Sequence, residues 1–250
     1  MSRAARLHDL LENLFESKDS SLLPQILEHS DYLAFMQKHG LEIPVRACAE
    51  AFTHTSFTHE FEAPHQEQLE FLGDSVLQLI LTDELFKRFP KEKEGKLSKM
   101  RSALVNEKTL FQIGEKLGLP ALIIVGKGEY KKNLFEQAPV VADTMEALLA
   151  QIYRYQGMDK ARVIFLGWLT TYVSEAFTDE LLNSFDAKSK LQEMSLARYK
   201  KLPRYSSEAK GDGFEVSLWI NEELVEQGIF HSKKIGEKEL AQNAIKKGNI

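Results

Sequence analysis

Residues 66–77 read Gln-Glu-Gln-Leu-Glu-Phe-Leu-Gly-Asp-Ser-Val-Leu and combine acidic with apolar side chains. Its acids, Glu67, Glu70 and Asp74, are three and four residues apart among leucine, phenylalanine and valine. At about 100° per residue, that spacing puts the three carboxylates within roughly 60° of one helix face. The stretch therefore predicts a helix that carries acids beside an apolar face.

The helix is predicted to run from Leu69 to Phe89, where Pro90 and the charged run that follows it end it. Its apolar residues recur at helical spacing and predict a broad face that packs in a core. The residues of this predicted face are Phe71, Leu72, Val76, Leu79, Ile80 and Phe86.

Asp143 and Glu146 repeat the acidic pattern on a second predicted helix, Ala142–Tyr155. Acids beside a core face are costly unless they are paired or bound to a cation. Facing helices that project carboxylates inward make an oxygen-ligand site, which suits a hard divalent ion such as Mg²⁺. Acid pairs at helical spacing also occur on solvated faces, and neither reading identifies a substrate.

The chain changes character after Thr178. Up to that residue it reads as successive helices, with breaks at Gly95, 118–120 and 126–132. Beyond it, residues 186–250 read as helix, three strands and helix, which is typical of a small α+β domain. We therefore predict a multidomain protein in which an all-α domain precedes an α+β domain.

The second domain is predicted element by element. Asp186 is the expected N-cap of a helix that ends near Lys201. Phe214–Ile220 alternates apolar and polar residues at period two, Leu224–His231 reads as a weaker strand, and Ile235–Lys247 as the last helix.

Composition and charge exclude several classes of protein. The single cysteine, Cys48, rules out a disulfide within the chain and favours the cytoplasm; its alanine-rich surroundings predict a small buried side chain. No apolar run suits a signal peptide or a membrane span. The net charge is −5, but residues 186–250 hold 12 Lys and Arg against 10 Asp and Glu, whereas the rest holds 20 and 27. An acidic body with a slightly basic end is consistent with a metal-binding part joined to a part that binds polyanions.

Four ordered blocks resemble the bacterial ribonuclease III family. Residues 66–77 resemble the family's signature, and Asp143-Thr-Met-Glu146 matches its second acidic motif. Residues 53–57, Thr-His-Thr-Ser-Phe, and residues 95–101, Gly-Lys-Leu-Ser-Lys-Met-Arg, resemble the two remaining blocks. The resemblance runs from about Leu41 and implies a catalytic domain at 41–178, a linker at 179–185 and a double-stranded RNA-binding domain at 186–250. Residues 1–40 lie outside it, and the helical spacing of their leucines predicts a helical N-terminal extension.

The resemblance also implies roles for the acids. Glu70, Asp74, Asp143 and Glu146 match the family's metal-binding quartet for Mg²⁺, for which Mn²⁺ can substitute. Among them, Asp74 and Glu146 are the expected catalytic residues, and Glu67 matches an accessory acid.

The implied activity is endonucleolytic hydrolysis of double-stranded RNA by magnesium-activated water. The products would carry 5′ phosphates, 3′ hydroxyls and short 3′ overhangs, as in processing of ribosomal and messenger RNA. The helix around Phe71–Leu77 looks like the family's homodimer helix, so two sites would cut one duplex, one strand each.

The C-terminal elements resemble those of a double-stranded RNA-binding domain. Gln192 and Glu193 match first-helix residues that meet the minor groove, and Lys233, Lys234 and Lys238 match a lysine cluster that meets phosphates. This match departs from the family at Gly236, where Ala is usual and where glycine lowers helix stability by up to ~1 kcal/mol.

Two alternatives stay open at the level of sequence. One is a double-stranded RNA-binding protein that keeps the fold without cleaving, although such relatives typically lose their acids. The other is an all-α magnesium-dependent nucleotide pyrophosphohydrolase, which would not need residues 186–250. The chain also departs from the signature at Gln66 and Gln68, where the family usually has Asn and Arg.

Overall fold

A computed structural model of the chain contains two compact units, Met1–Ala176 and Phe177–Ile250. The structure describes residues 6–174, 176–178, 187–211 and 213–248, without the side chains of Ser189 and Lys234. The first unit is helical and the second is α+β, which confirms the predicted fold class. The predicted linker at 179–185 and the predicted N-cap Asp186 lie outside the described residues.

The first unit is built from helices joined by short turns. Its helices are Leu7–Ser17 (α1), Leu23–Leu27 (α2), Ser30–His39 (α3), Val45–Ala51 (α4), Thr55–Thr58 (α5), Glu67–Arg88 (α6), Glu94–Val105 (α7), Glu107–Leu117 (α8), Lys127–Tyr130 (α9) and Ala138–Tyr172 (α10). None of the described helices has the length and apolar character needed to cross a bilayer.

Two predicted boundaries in this unit were wrong. Gly95 was predicted to break the chain, but it lies in the first turn of α7, where a glycine disturbs no established helical hydrogen bond. The second acidic helix was predicted to end at Tyr155, but α10 continues past a kink at Gly157. Gly157 has φ 81°, a conformation that glycine adopts without strain, so the chain can bend there and resume the helix.

Helix α6 has two apolar sides, of which one is in the core. Val76 and Ile80 are buried as predicted, whereas Phe71, Leu79 and Phe86 are 80%, 54% and 69% exposed. The exposed residues lie within roughly 80° of one another around the helix, on a separate side from the buried ones. The predicted apolar face therefore consists of two separate faces, one buried and one exposed. The spacing identifies apolar positions but does not indicate which side of the helix packs in the core.

The N-terminal helices belong to the same compact unit as the helices that follow. Leu7, Leu11 and Leu14 of α1 are fully buried. Tyr32 Oη donates to the Leu122 carbonyl at 2.9 Å, and Lys127 Nζ donates to the Phe15 carbonyl at 2.8 Å. Both contacts hold the extension to the segment that leads into α10.

The second unit packs two helices on an antiparallel sheet. Its elements are Ala187–Tyr199 (α11), Arg204–Lys210 (β1), Gly213–Ile220 (β2), Glu223–Phe230 (β3) and Lys233–Lys247 (α12). The sheet order is β1-β2-β3, with Tyr205 opposite Leu218 and Phe214 opposite Phe230. Val216, Leu218 and Ile220 are buried, as the period-two pattern predicted.

Gly236 allows α12 to approach the sheet closely. A Cβ at this position would lie 2.6 Å from side-chain atoms of Phe230 and of Val216. The loss of helix propensity at Gly236 is therefore accompanied by packing that a larger residue would obstruct.

Candidate active site

Helices α6 and α10 meet at Gly73. A Cβ there would lie 1.9 Å from the carbonyl oxygen of Glu146, so only glycine allows this approach of the two backbones. The contact lies beside Asp74 on α6 and at Glu146 on α10. It brings the predicted acids of both helices to one place.

The four predicted metal ligands, Glu70, Asp74, Asp143 and Glu146, are all half-buried. Burial, followed by the charges of Asp74, Asp143 and Glu70, raises the pKa of Glu146 to about 8. Burial, followed by the charges of Glu70 and Glu107, raises the pKa of Asp143 to about 6. The pKa of Glu70 is raised by burial and then by Glu67 and Asp74. Each acid therefore lies within electrostatic reach of others in the group.

Among the described residues, no cationic side chain contributes to these pKa shifts. In that part of the chain, the pKa values of Glu70, Asp143 and Glu146 are raised only by burial and by other acids. In the same residues, no three His, Cys, Asp or Glu side chains are arranged as ligands of one metal ion. The acids thus share a site and repel one another, but their oxygens do not converge on a point.

Two features of the site, a hydrogen bond and a further acid, were not anticipated from the sequence. Gln78 Nε2 donates to Asp74 Oδ1 at 3.2 Å, one helical turn along α6. Glu107, the first residue of α8, adds negative charge near Asp143. Asn106 is a typical helix N-cap and could have indicated a helix that begins at Glu107. The sequence could not show that this helix begins near α10.

The remaining predicted acid, Glu67, lies on the edge of the site. It is exposed, and its charge acts on Glu70. His54, in the block at residues 53–57, is a structural cap: its Nδ1 accepts from the Ser56 amide at 3.1 Å at the start of α5.

The predicted RNA contacts of the second unit lie on its two helices. Gln192 and Glu193 are exposed on α11. Lys233, the first residue of α12, is exposed, with Nζ 5.2 Å from the centre of the Phe214 ring. Lys238 is half-buried one turn further along α12, and the side chain of Lys234 lies outside the described residues.

Comparisons with known proteins extend over both units. Residues 46–173 match the family model described as Ribonuclease-III-like. The chain is 33% identical over 224 residues to Ribonuclease 3 of Corynebacterium jeikeium, covering 88% of this chain and 91% of that protein. It is 35% identical over 221 residues to Ribonuclease 3 of Mycobacterium leprae, covering 85% and 92%.

A solved structure agrees over the first unit. It is the nuclease domain of ribonuclease III from Campylobacter jejuni, from work on flexibility in a region involved in dimer formation. It is 33% identical with a TM-score of 0.53, and the match covers 56% of this chain and 96% of that one.

The protein has a helical nuclease domain with clustered acids, followed by an α+β domain. Together these features define an endoribonuclease that acts on double-stranded RNA. The chain belongs to the ribonuclease III family. These findings do not favour the two alternatives, a non-cleaving RNA-binding protein and a nucleotide pyrophosphohydrolase.

Proposed function

We propose that Glu70, Asp74, Asp143 and Glu146 bind Mg²⁺, or Mn²⁺ in its place, and that the site hydrolyses phosphodiester bonds of double-stranded RNA. The products carry 5′ phosphates, 3′ hydroxyls and short 3′ overhangs. The observation that carries this proposal is the close approach of α6 and α10 at Gly73 and Glu146, which brings the half-buried acids of both helices together. The raised carboxyl pKa values, caused by burial and by other acids, support it.

The donor set fits a hard divalent ion. Carboxylate oxygens are the ligands that Mg²⁺ prefers, and excess negative charge in a half-buried site favours a cation. As the acids are placed, their oxygens do not converge on one point. Glu and Asp side chains can turn toward a shared ion by changing rotamer while the helices stay in place.

When bound, the metal lowers the pKa of a water molecule and stabilises negative charge on the phosphoryl group. Asp74 and Glu146 belong to opposite helices and are the acids we assign to the reaction itself. Glu67 assists from the rim of the site, where its charge reaches Glu70.

The exposed apolar side of α6 supports a homodimer. We name Phe71, Leu79 and Phe86 the α6 outer face; all three are large apolar side chains on the outside of the first unit. An exposed apolar strip of this kind favours association with another protein surface. Pairing of two chains through this face would supply two sites for the two strands of a duplex.

The second unit supplies binding without chemistry. Its helix α12 begins with a Ser232 cap and exposed Lys233, an arrangement suited to phosphate. Such domains read the A-form shape of the duplex more than its sequence. Processing of ribosomal and messenger RNA in the cytoplasm is the cellular role that we propose.

The proposal is tested by incubating the full chain with long duplex RNA, single-stranded RNA of the same sequence, and nucleoside triphosphates. Each substrate is assayed with Mg²⁺ and with EDTA, and the RNA ends are mapped by ligation. We expect only the duplex to be shortened, only with the metal, to ligatable 5′-phosphate ends. Cleavage that persists in EDTA would contradict the metal proposal, and triphosphate hydrolysis alone would favour a pyrophosphohydrolase.

A further inference from the structure

A buried side-chain hydrogen bond joins the start of α6 to α10, next to acids of both helices. Gln66 is 2% exposed and Thr144 is fully buried. The Thr144 hydroxyl donates to Gln66 Oε1 at 3.1 Å and to the Val140 carbonyl at 2.8 Å. Gln66 directly precedes α6 and Thr144 lies in α10, so the side-chain contact crosses between the helices.

The hydroxyl of Thr144 has one proton and two acceptors, so the proton is shared. If the Gln66 amide turns its nitrogen toward Thr144, it donates to the hydroxyl, and the hydroxyl proton is left to Val140. Either orientation links the same two side chains. A buried amide and a buried hydroxyl satisfy each other in both cases, as buried polar groups generally must.

The backbone of Gln66 is fixed independently of this contact. Its N–H donates to the Thr53 carbonyl at 2.9 Å, and its own carbonyl accepts from the Glu70 amide at 2.8 Å. Gln66 therefore joins the segment before α5, the first turn of α6 and, through its side chain, α10. A rotation of α10 about its axis would break the Thr144 contact.

The contact lies next to acids on both sides. Glu67 follows Gln66, and Asp143 precedes Thr144. Together with the Gly73–Glu146 backbone contact, it gives α6 and α10 two fixed points beside the carboxylates. A metal ion whose ligands come from two helices requires their relative rotation and translation to be held closely.

We propose that Gln66 and Thr144 are positioning residues, whose buried contact holds α6 and α10 in the arrangement that the acids need to bind one metal ion. This inference rests on the proposed metal site. Neither residue touches the reacting atoms, and their effect passes through Asp143 and Glu146 on one side and Glu70 on the other.

The test compares substitutions that keep or remove the polar contact at nearly constant volume. Thr144→Val and Gln66→Met remove it, and Thr144→Ser keeps the hydroxyl. Thr109→Val is the matched control, since Thr109 is also a buried threonine, and its hydroxyl donates to the Ala103 carbonyl of α7 at 3.0 Å, not to a residue of α6 or α10.

The first readout is Mn²⁺ binding to the full chain without RNA, followed by electron paramagnetic resonance. We expect Thr144→Val and Gln66→Met to weaken it on the order of tenfold, and Thr144→Ser and Thr109→Val to stay near the parent. The second readout is cleavage of duplex RNA at varied Mg²⁺. The Mg²⁺ midpoint should rise for the first two variants, whereas KM for RNA at saturating metal should not change.

Thermal unfolding of each variant separates lost positioning from lost folding. If Thr144→Val is unfolded at the assay temperature, Gln66→Met carries the test. Unchanged Mn²⁺ binding and Mg²⁺ midpoints in folded variants, with a metal-dependent parent, overturn this inference and leave the proposed function intact. A parent chain that binds no Mn²⁺ and cleaves RNA in EDTA overturns both.

Discussion

The acidic site of the first unit and the charged surface of the second unit differ in how their charged side chains are paired and buried. In the first unit, Glu70, Asp143 and Glu146 are half-buried beside other acids, which raise their pKa values. In the second, lysines pair with glutamates, as in the exposed pair of Lys201 and Glu222 at 2.8 Å.

The difference separates chemistry from binding. Exposed pairs contribute roughly 0–1 kcal/mol each and impose little on the fold. Clustered, half-buried acids lower stability unless a cation offsets their charge, which is one reason for our proposal that they bind a metal ion. We therefore expect changes in the first unit to act on catalysis, and changes in the second unit to act on affinity.

The largest expected effect is that of Glu146→Gln. Replacing this carboxylate by a neutral amide removes a proposed metal ligand and should lower the cleavage rate by roughly 10³-fold. Duplex binding, which we assign mainly to the second unit, should stay largely intact. Single-turnover cleavage and gel-shift assays on the same preparation measure the two effects.

Glu115→Gln is the matched control for that experiment, because Glu115 is an exposed glutamate on α8. It should cleave like the parent. Full activity of the Glu146 variant would mean that the acid assignment is wrong, and a comparable loss of duplex binding would erase the proposed division between the units.

Phe71→Glu should have the next largest effect, on assembly. Phe71 is 80% exposed on the α6 outer face, and a charge placed in a buried interface is strongly unfavourable. We expect the dimer dissociation constant to rise by about 100-fold or more, as for a central interface residue. Sedimentation over a concentration series measures it.

Val163→Glu provides the comparison, because Val163 is a 68% exposed apolar residue on α10, outside the α6 outer face. This variant should assemble like the parent. A parent chain that is monomeric at every concentration would show that the α6 outer face does not mediate self-association.

Removing residues 179–250 should reverse the pattern of Glu146→Gln. We expect duplex affinity at physiological salt to fall by roughly 10–100-fold, since phosphate contacts of the second unit are lost. The cleavage rate at saturating RNA should change much less. The dependence of binding on salt should also become less steep, and equal cutting at limiting RNA would contradict the role of the second unit.

The spacing of residues was enough to predict much of this arrangement. Glu70 and Asp74 share a helix face because of their separation along the chain, and the same holds for Asp143 and Glu146. The alternation in Phe214–Ile220 likewise predicted the buried side of β2. These features depend on local periodicity, which the sequence contains directly.

Features that depend on contacts between distant segments were not predictable in this way. Gly73 is required by the backbone of Glu146, and Gly236 by the side chains of Phe230 and Val216. The exposure of Phe71 likewise depends on which side of α6 meets the core. A single sequence marks the residue types at these positions but not their partners in space.

The smallest expected effect is on stability, and it tests whether the acids are strained without metal. The pKa of Glu146 is raised from 4.5 to about 8 and that of Asp143 from 3.8 to about 6. The folded chain therefore holds these protons more tightly than the unfolded chain does. In EDTA, the free energy of unfolding should fall as the pH rises from about 4.5 to about 8.

Glu146→Gln should remove part of that fall, because an amide does not ionise. The variant should match the parent near pH 4.5 and exceed it near pH 8 by about 1 kcal/mol, after a discount for solvent screening. For a unit of this size that difference corresponds to roughly 2–4 °C in Tm. Thermal unfolding of parent, Glu146→Gln and Glu115→Gln across this pH range measures it, and Mg²⁺ should raise the Tm of the parent more than that of the Glu146 variant. Parallel curves for all three proteins would show that the cluster stores no charge repulsion, and one argument for a cation there would be lost.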